Sequence, residues 1–247
     1  MRKRLAVSRL RSAAKPSNPR AFSRWNWNGR GSHPVYPHPR VRLGRRRPGN
    51  SSNGVRRVSE FTSAADAAKR LAAALAAAGC PYAIGGAIAL GYWGQPRGTL
   101  DVDVTLFVDA AKPSEATWIL QQLGCQFQAS SALASFQQHG FAQVELDGIR
   151  IDVFLPTIDF YRTAKERIQT VLLGDQRVCV WDAETLCVFK MMFFRRKDLA
   201  DVEQILRSRG ASFSTDWTRA QLVTIYGTRD PRLISWDEIV AEVRPGA

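Results

Sequence analysis

Two aspartates, Asp101 and Asp103, stand two residues apart in a segment that alternates polar and apolar residues through 101–108. Residues at i and i+2 of a β-strand point to the same face, so both carboxylates project together while Val102 and Val104 point into the core. Two like charges side by side are unfavourable unless a cation joins them. Magnesium is the natural cation here, because it binds a few carboxylates together with substrate phosphates.

A third carboxylate, Asp152, lies on the return strand of a predicted hairpin whose turn is Asp147-Gly148. It is the only acid among the mostly apolar residues 149–155, and an unpaired buried carboxylate is costly. Alone, Asp152 is explained equally well by a salt bridge to a nearby arginine. Together with the aspartate pair, it favours a cluster of three carboxylates around a metal ion.

A double glycine, Gly85-Gly86, separates a short buried strand, Tyr82–Ile84, from a short apolar helix over 87–93. Glycines let a backbone approach a ligand closely, and the first amides of a helix can bind phosphate. A tight turn between strand and helix explains the glycines about as well. The glycines therefore predict a phosphate site only in combination with the aspartates.

A wider pattern joins these residues to a short motif ahead of the aspartates and to a later basic helix. Its residues are Gly85, Gly86, Arg97, Thr99, Asp101, Asp103, Asp152 and the segment from Lys190 to Asp201. The pattern resembles the DNA polymerase beta-like nucleotidyltransferase superfamily, and within it the AbiEii-type nucleotidyltransferase toxins and the minimal nucleotidyltransferases.

The resemblance implies Mg²⁺-dependent transfer of a nucleoside monophosphate from an NTP co-substrate to an acceptor hydroxyl, with release of pyrophosphate. It implies that Asp101 and Asp103 bind Mg²⁺, and that Asp152 helps to hold a second metal ion and acts as the base. All three would then be both catalytic residues and metal ligands. Further residues are assigned to the nucleotide, namely Gly85, Gly86, Arg97, Thr99, Lys190, Lys197 and Asp198.

Lys190 interrupts the apolar run 186–194, so it either reaches solvent along its aliphatic stem or meets an anion. The resemblance favours a nucleotide phosphate as that anion. Lys197 and Asp198 also admit a local explanation, in which Asp198 caps the following helix and Asp201 pairs with Lys197.

The periodicities together with the resemblance predict an α+β fold, a nucleotidyltransferase-like mixed sheet flanked by helices and followed by a C-terminal helical domain. We place the α/β domain at 58–181 and the helical domain at 182–247. Strands are predicted at 82–84, 101–108, 142–146, 149–155 and 177–181. Helices are predicted at 63–78, 87–93, 114–123, 159–172, 183–194, 199–207, 217–226 and 235–242. His139 is expected in a loop without a chemical role.

The net charge of +13 is distributed unevenly, because residues 1–57 hold 16 of the 35 Lys and Arg and no acid. This segment is predicted to be a disordered tail. A nucleic-acid-binding arm, a transit peptide and a start codon assigned too far upstream all explain its composition. The remaining residues carry 19 basic and 22 acidic side chains, so the charge says nothing about the folded part.

The rest of the composition favours a cytoplasmic protein. No apolar run approaches the ~18 residues of a membrane span. The four cysteines are widely spaced without a C-x-x-C pair, which is typical of reduced thiols.

Three functions remain open. The leading hypothesis is a toxin of a toxin–antitoxin system, whose partners are an NTP, an RNA (tRNA) or protein acceptor and a cognate antitoxin. The second is a catalytically silent regulatory module that binds NTP or nucleic acid. The third is an antibiotic-modifying nucleotidyltransferase, which needs an acidic pocket for a cationic drug and finds support only in Asp198, Asp201 and Glu203.

Overall fold

The structure is a computed structural model that describes residues 62–244 of the 247-residue chain. Its strands are β1 Tyr82–Ile84, β2 Asp101–Leu106, β3 Phe141–Leu146, β4 Ile149–Phe154, β5 Gln169–Leu173 and β6 Gln176–Val180. Its α-helices are α1 Ala64–Ala77, α2 Gly86–Trp93, α3 Pro113–Gln122, α4 Ala129–His139, α5 Phe160–Lys165, α6 Ala183–Phe193, α7 Arg196–Arg209, α8 Thr215–Tyr226 and α9 Pro231–Val243. The predicted disordered tail, 1–57, lies outside the described residues.

Within residues 62–244 the six strands form one mixed sheet in the order β3-β4-β2-β1-β6-β5. Strand β2 lies inside the sheet, parallel to β4 on one side and antiparallel to β1 on the other. Val102 and Val104 are buried, as their alternation with Asp101 and Asp103 predicts. The predicted α+β class, with helices flanking a mixed sheet, is confirmed.

The hairpin of β3 and β4 turns at Asp147 and Gly148, which both have positive φ, of 54° and 80°. A two-residue turn of this kind matches the twist of the flanking strands. The turn determines the register of β4, whose parallel pairing with β2 then places Asp152 directly beside Asp103.

Helix α1 begins at Ser63, whose hydroxyl accepts a hydrogen bond from the Asp66 amide at 3.1 Å while the Ser63 amide donates to the Asp66 carboxylate at 3.3 Å. This reciprocal pair satisfies two amides that would otherwise lack partners. The buried face of the helix carries alanines together with Leu71 and Leu75, and it packs against β6 and β2.

Two predictions about secondary structure are wrong. The helix predicted over 159–172 ends at Lys165, and Gln169–Leu173 is a strand paired with β6. The overlooked signal is Gly174, which has φ of +64° in the short turn to β6. Helix α4 was not predicted, and it places His139 at a helix C-terminus, capped by the left-handed Gly140, instead of in a loop.

Helix α6 is buried over residues 183–192, which explains the apolar run that contains Lys190. It begins at Asp182, whose carboxylate accepts from the Thr185 amide at 2.9 Å. The helix contacts α2, α7, α8 and α9, so the C-terminal helices pack around it. A helix long and apolar enough to cross a membrane is absent from residues 62–244.

Candidate active site

One cavity of about 250 Å³ is lined by every site residue predicted from the sequence. These residues are Gly85, Gly86, Arg97, Thr99, Asp101, Asp103, Asp152, Lys190, Lys197 and Asp198. They come from α2 and the loop before it, from strands β2 and β4, from the loop ahead of β2, and from α6 and α7. The fold therefore brings together residues that lie more than a hundred positions apart in the chain. Their roles in the cavity stay predictions.

The parallel register of β2 and β4 places the aspartates on one face. Asp103 is the direct cross-strand neighbour of Asp152, and Asp101 is the neighbour of Arg150. Because side chains alternate between faces, all four project to the same side of the sheet. Three carboxylates and one guanidinium thus form a polar patch at the floor of the cavity.

The guanidinium of Arg150 contacts two of these carboxylates. Its Nη2 donates to Asp101 Oδ2, and its Nε lies 3.2 Å from Asp152 Oδ1. The salt bridge that was the alternative explanation for Asp152 is therefore present. Each of these two carboxylates also accepts a hydrogen bond from a neutral side chain. Thr99 Oγ1 donates to Asp101 Oδ1 at 2.5 Å, and Gln143 Nε2 donates to Asp152 Oδ1 at 3.1 Å.

The carboxylate oxygens of Asp101, Asp103 and Asp152 are suitable ligands for a hard cation. Carboxylate oxygens are the ligands that Mg²⁺ prefers, and those of Asp101 and Asp152 already share one cationic group. In the part of the chain that the structure describes, no three His, Cys, Asp or Glu side chains are arranged to hold a metal ion. The three-aspartate metal site therefore stays a prediction.

The electrostatics of the patch depend on its burial. Burial, followed by the charges of Asp152 and Asp101, raises the pKa of Asp103 to about 6. Burial also raises the pKa of Asp152, although Arg150 opposes the shift. Burial acts in the same direction on Asp101, but the Thr99 hydrogen bond and the Arg150 charge hold the pKa of that carboxyl below its usual range. The patch is thus an environment that favours an added cation.

Gly86 is required by the position of the Asp103 carboxylate. Its φ is +55°, and a β-carbon built on it would lie 1.7 Å from Asp103 Oδ2. The amide of Gly85 donates to the Asp103 carbonyl at 2.9 Å, so this amide is already used within the sheet. Of the two predicted glycine amides, we keep Gly86 as the candidate phosphate donor, because the first amides of a helix lack intrahelical acceptors.

Lys190 does not reach solvent, since it is only 4% exposed. Its Nζ lies 2.6 Å from Asp201 Oδ2, and Arg97 Nη2 lies 3.1 Å from the same oxygen. The predicted pairing of Asp201 with Lys197 is wrong, because Asp201 instead joins the loop ahead of β2 to helix α6. Burial would raise the pKa of Asp201, but hydrogen bonds from Arg97 and Lys190 hold it below its usual range.

Asp198 belongs to the N-terminal capping box of helix α7, but it lies inside the first turn, because the helix begins at Arg196 and not at 199 as predicted. Its Oδ2 accepts from the backbone amide of Arg195 at 3.2 Å and from the Arg195 Nε at 2.6 Å. The carboxylate is buried, whereas Lys197 beside it is exposed at the cavity wall. Asp198 therefore stabilises the N-terminus of helix α7.

The cavity is also lined by aromatic and polar side chains that the sequence analysis did not assign to the site. Phe154 lies between Phe141 and Phe193, with ring centroids 4.9 and 5.9 Å away, and all three line the cavity. The polar residues that line the cavity and were not predicted as site residues are Thr105, His139, Arg150, Tyr161, Arg195 and Arg232. A signal for Arg150 existed, because it stands two residues before Asp152 on the same strand.

The cavity is more cationic than anionic. Among the described residues that line it, six are Arg or Lys and four are Asp. Five of these six cations are paired with a carboxylate, namely Arg97 and Lys190 with Asp201, Arg150 with Asp101 and Asp152, Arg195 with Asp198 and Arg232 with Asp230.

No protein-family model matches this chain, and no curated protein matches it either. Eight chains of solved structures match this chain, and three of these matches have identities below 25% and TM-scores below 0.5. An antigenic nucleotidyltransferase-like protein from Paracoccidioides brasiliensis has 21% identity and a TM-score of 0.41, and the match covers 70% of this chain and 93% of that one.

The solution structure of the antibiotic-resistance factor ANT(2'')-Ia has 16% identity and a TM-score of 0.45, with 64% of this chain and 89% of that chain covered. The crystal structure of ANT(2'')-Ia with adenylyl-2''-tobramycin has 14% identity and a TM-score of 0.42, with coverage of 64% and 92%. Matches with TM-scores below 0.5 support no conclusion about the activity of this chain.

Proposed function

We propose that the chain is a nucleotidyltransferase that moves a nucleoside monophosphate from an NTP to an acceptor hydroxyl. The observation that carries the proposal is the convergence of Asp101, Asp103 and Asp152 with the helix start at Gly86 in one cavity. The sequence pattern formed by these residues, which resembles the nucleotidyltransferase superfamily, supports the same conclusion.

In this reaction the acceptor oxygen forms a bond to the α-phosphorus of the NTP while the bond from that phosphorus to the bridging oxygen breaks. The electron pair of the broken bond leaves with pyrophosphate, and the acceptor proton passes to a base. Asp152 is our candidate for the base. Its raised pKa makes its carboxylate a better proton acceptor, and Gln143 orients it.

The triphosphate would lie between two groups of donors. The first amides of α2 face it from one side, and Lys190, Arg97 and Lys197 supply positive charge from the other. Asp201 holds Lys190 and Arg97 in place. Because Lys190 and Lys197 belong to the C-terminal helices, we propose that segment 182–247 completes the site of segment 58–181.

Magnesium would be held by Asp101, Asp103 and Asp152, and when bound it would neutralise the triphosphate and the departing pyrophosphate. The chain itself supplies the orientation of these carboxylates, through Thr99 and Gln143.

The biological role that we propose is that of a toxin acting on an RNA or protein hydroxyl, with a cognate antitoxin as partner. It rests on the likeness of the sequence motifs to AbiEii-type toxins. The three acids on which the antibiotic-modifying hypothesis depends are already paired, Asp198 with Arg195, Asp201 with Lys190 and Glu203 with Arg207.

The proposal is tested with labelled NTPs, Mg²⁺ and cell extract, by following label transfer and pyrophosphate release. We expect transfer by the chain and none by an Asp101→Asn/Asp103→Asn double variant. Asp237→Asn, which removes an exposed carboxylate paired with Arg219 between α8 and α9, is the matched control and should transfer normally. Transfer that persists in the double variant would refute the proposal.

Two further readouts separate the alternatives. Nucleotide binding by calorimetry without pyrophosphate release with any acceptor would favour a silent binding module. Drug resistance on expression, in place of growth arrest, would favour an antibiotic-modifying enzyme.

A further inference from the structure

Arg150 has no role in the nucleotidyl transfer described above, yet it lies at the centre of the aspartate patch. It stands two residues before Asp152 on β4 and is the cross-strand neighbour of Asp101 on β2. Its Nη2 donates a hydrogen bond to Asp101, and its Nε forms an ion pair with Asp152 Oδ1 at 3.2 Å. A cationic group of this chain therefore bridges two of the three carboxylates that the proposed function assigns to a metal ion.

The two sides of this contact differ in their freedom to move. The Arg150 side chain is 52% exposed, so it can turn into solvent at little cost. The side chains of Asp101 and Asp152 are 26% and 15% exposed, and each is also held by a neutral donor. If these ion pairs break, the arginine side chain should therefore move while the two carboxylates keep their positions.

The chemistry of the patch explains why an arginine is present. Three carboxylates on adjacent positions of one sheet face repel each other, and one guanidinium neutralises two of them, through a hydrogen bond to Asp101 and an ion pair with Asp152. A divalent cation needs the same oxygens. Arginine and metal ion therefore compete for them.

We propose that Arg150 is an internal counter-ion that positions Asp101 and Asp152 in the metal-free chain and is displaced when a divalent cation binds. The proposal rests on the proposed function, because it takes these aspartates as the metal ligands. It makes Arg150 a positioning residue whose removal strengthens cation binding.

The test measures the binding of Mn²⁺ alone by calorimetry and by its paramagnetic resonance signal, without nucleotide or acceptor. We expect Arg150→Gln to bind Mn²⁺ with a dissociation constant roughly three- to tenfold smaller than that of the unsubstituted chain. The reason is that the ion pairs of Arg150, which compete with Mn²⁺ for the carboxylate oxygens, are lost. Arg219→Gln is the matched control, since it removes a bidentate, similarly exposed Arg–Asp pair between α8 and α9. Its Mn²⁺ affinity should equal that of the chain.

A second readout is the melting temperature. In EDTA, Arg150→Gln should melt below the chain, because its carboxylates lose their counter-ion. Saturating Mn²⁺ should then raise its melting temperature by more than it raises that of the chain. If Arg150→Gln does not fold, Arg150→Lys replaces it in the test. A single ammonium group cannot bridge Asp101 and Asp152 as the guanidinium does, so Arg150→Lys should also bind Mn²⁺ more tightly than the unsubstituted chain.

The outcomes separate the two proposals. If the chain binds Mn²⁺ and the Arg150 variants bind it equally well or more weakly, the inference is overturned while the proposed function stands. If neither the chain nor any variant binds Mn²⁺, the metal site of the proposed function fails and the inference fails with it.

Discussion

A carboxylate oxygen of Asp103 occupies the space in which a side chain at position 86 would have to begin. The distance from Oδ2 to a β-carbon built on Gly86 is 1.7 Å, far inside van der Waals contact. The start of helix α2 and the carboxylate on β2 are thus fitted to each other, and a β-carbon at position 86 requires this carboxylate to move.

Gly86→Ala should therefore damage the site. The new methyl group would displace the Asp103 carboxylate and strain a backbone with φ of +55°, so we expect unfolding to become easier by more than ~1 kcal/mol. Nucleotide binding, measured by calorimetry, should weaken at least about tenfold.

The control for this variant is Gly91→Ala in the same helix. An added β-carbon there meets only Pro96 at 3.9 Å, which is ordinary contact. We expect unchanged nucleotide binding and a free energy of unfolding up to ~1 kcal/mol higher, because alanine is the better helix former. Equal behaviour of the two variants would contradict the proposed fit.

The raised pKa of Asp103 predicts a pH-dependent stability in the absence of divalent cations. The folded chain keeps this proton up to about pH 6, whereas the unfolded chain releases it near 3.8. The stabilisation by protonated Asp103 is thus complete below pH 3.8 and is lost as pH rises through about 6.

Asp103→Asn, which cannot ionise, should therefore be more stable than the chain at pH 7.5 in EDTA, by about 2–3 kcal/mol. The difference should shrink towards pH 4.5. Urea unfolding at both pH values measures it, and a difference that does not change with pH would mean that Asp103 ionises normally.

Asp201 is expected to matter for stability as well as for nucleotide binding. Asp201→Ala leaves the ammonium of Lys190 buried without its partner, which should cost about 3–5 kcal/mol of unfolding free energy. The exposed pair of Arg219 and Asp237 is the comparison, since Asp237→Asn should cost less than ~1 kcal/mol.

A double variant, Lys190→Met/Asp201→Leu, separates the two roles of this ion pair. It removes both buried charges and should recover much of the lost stability, as measured by urea unfolding. It should not recover nucleotide binding in calorimetry, because the ammonium is gone. Full recovery of binding would show that Lys190 has no part in holding the nucleotide.

Asp152→Asn should reduce the rate of the reaction, because Asp152 is proposed both as the base and as a ligand of magnesium. The rate of pyrophosphate release should fall by at least about 10²–10⁴. Glu145→Gln, which removes an exposed carboxylate from the neighbouring strand β3, should leave the rate unchanged. A rate for Asp152→Asn close to that of the chain would assign the base to another residue.

The sequence alone predicted those features of the site that are determined by residues close together in the chain. The two-residue period placed Asp101 and Asp103 on one face, and Asp147-Gly148 predicted the hairpin that carries Asp152. Strand β5 escaped prediction, because 159–172 also fits a helical period and only pairing with β6 makes its second half a strand.

Tertiary structure decided the partners of the charged side chains. The guanidinium of Arg150 reaches Asp101 only because β4 lies parallel to β2 in this register, and Asp201 meets Lys190 and Arg97 only because α7 packs against α6 beside the loop ahead of β2. Sequence spacing determines which side chains share a face of one element. Which charges meet between elements depends on packing and register, which are properties of the whole folded chain.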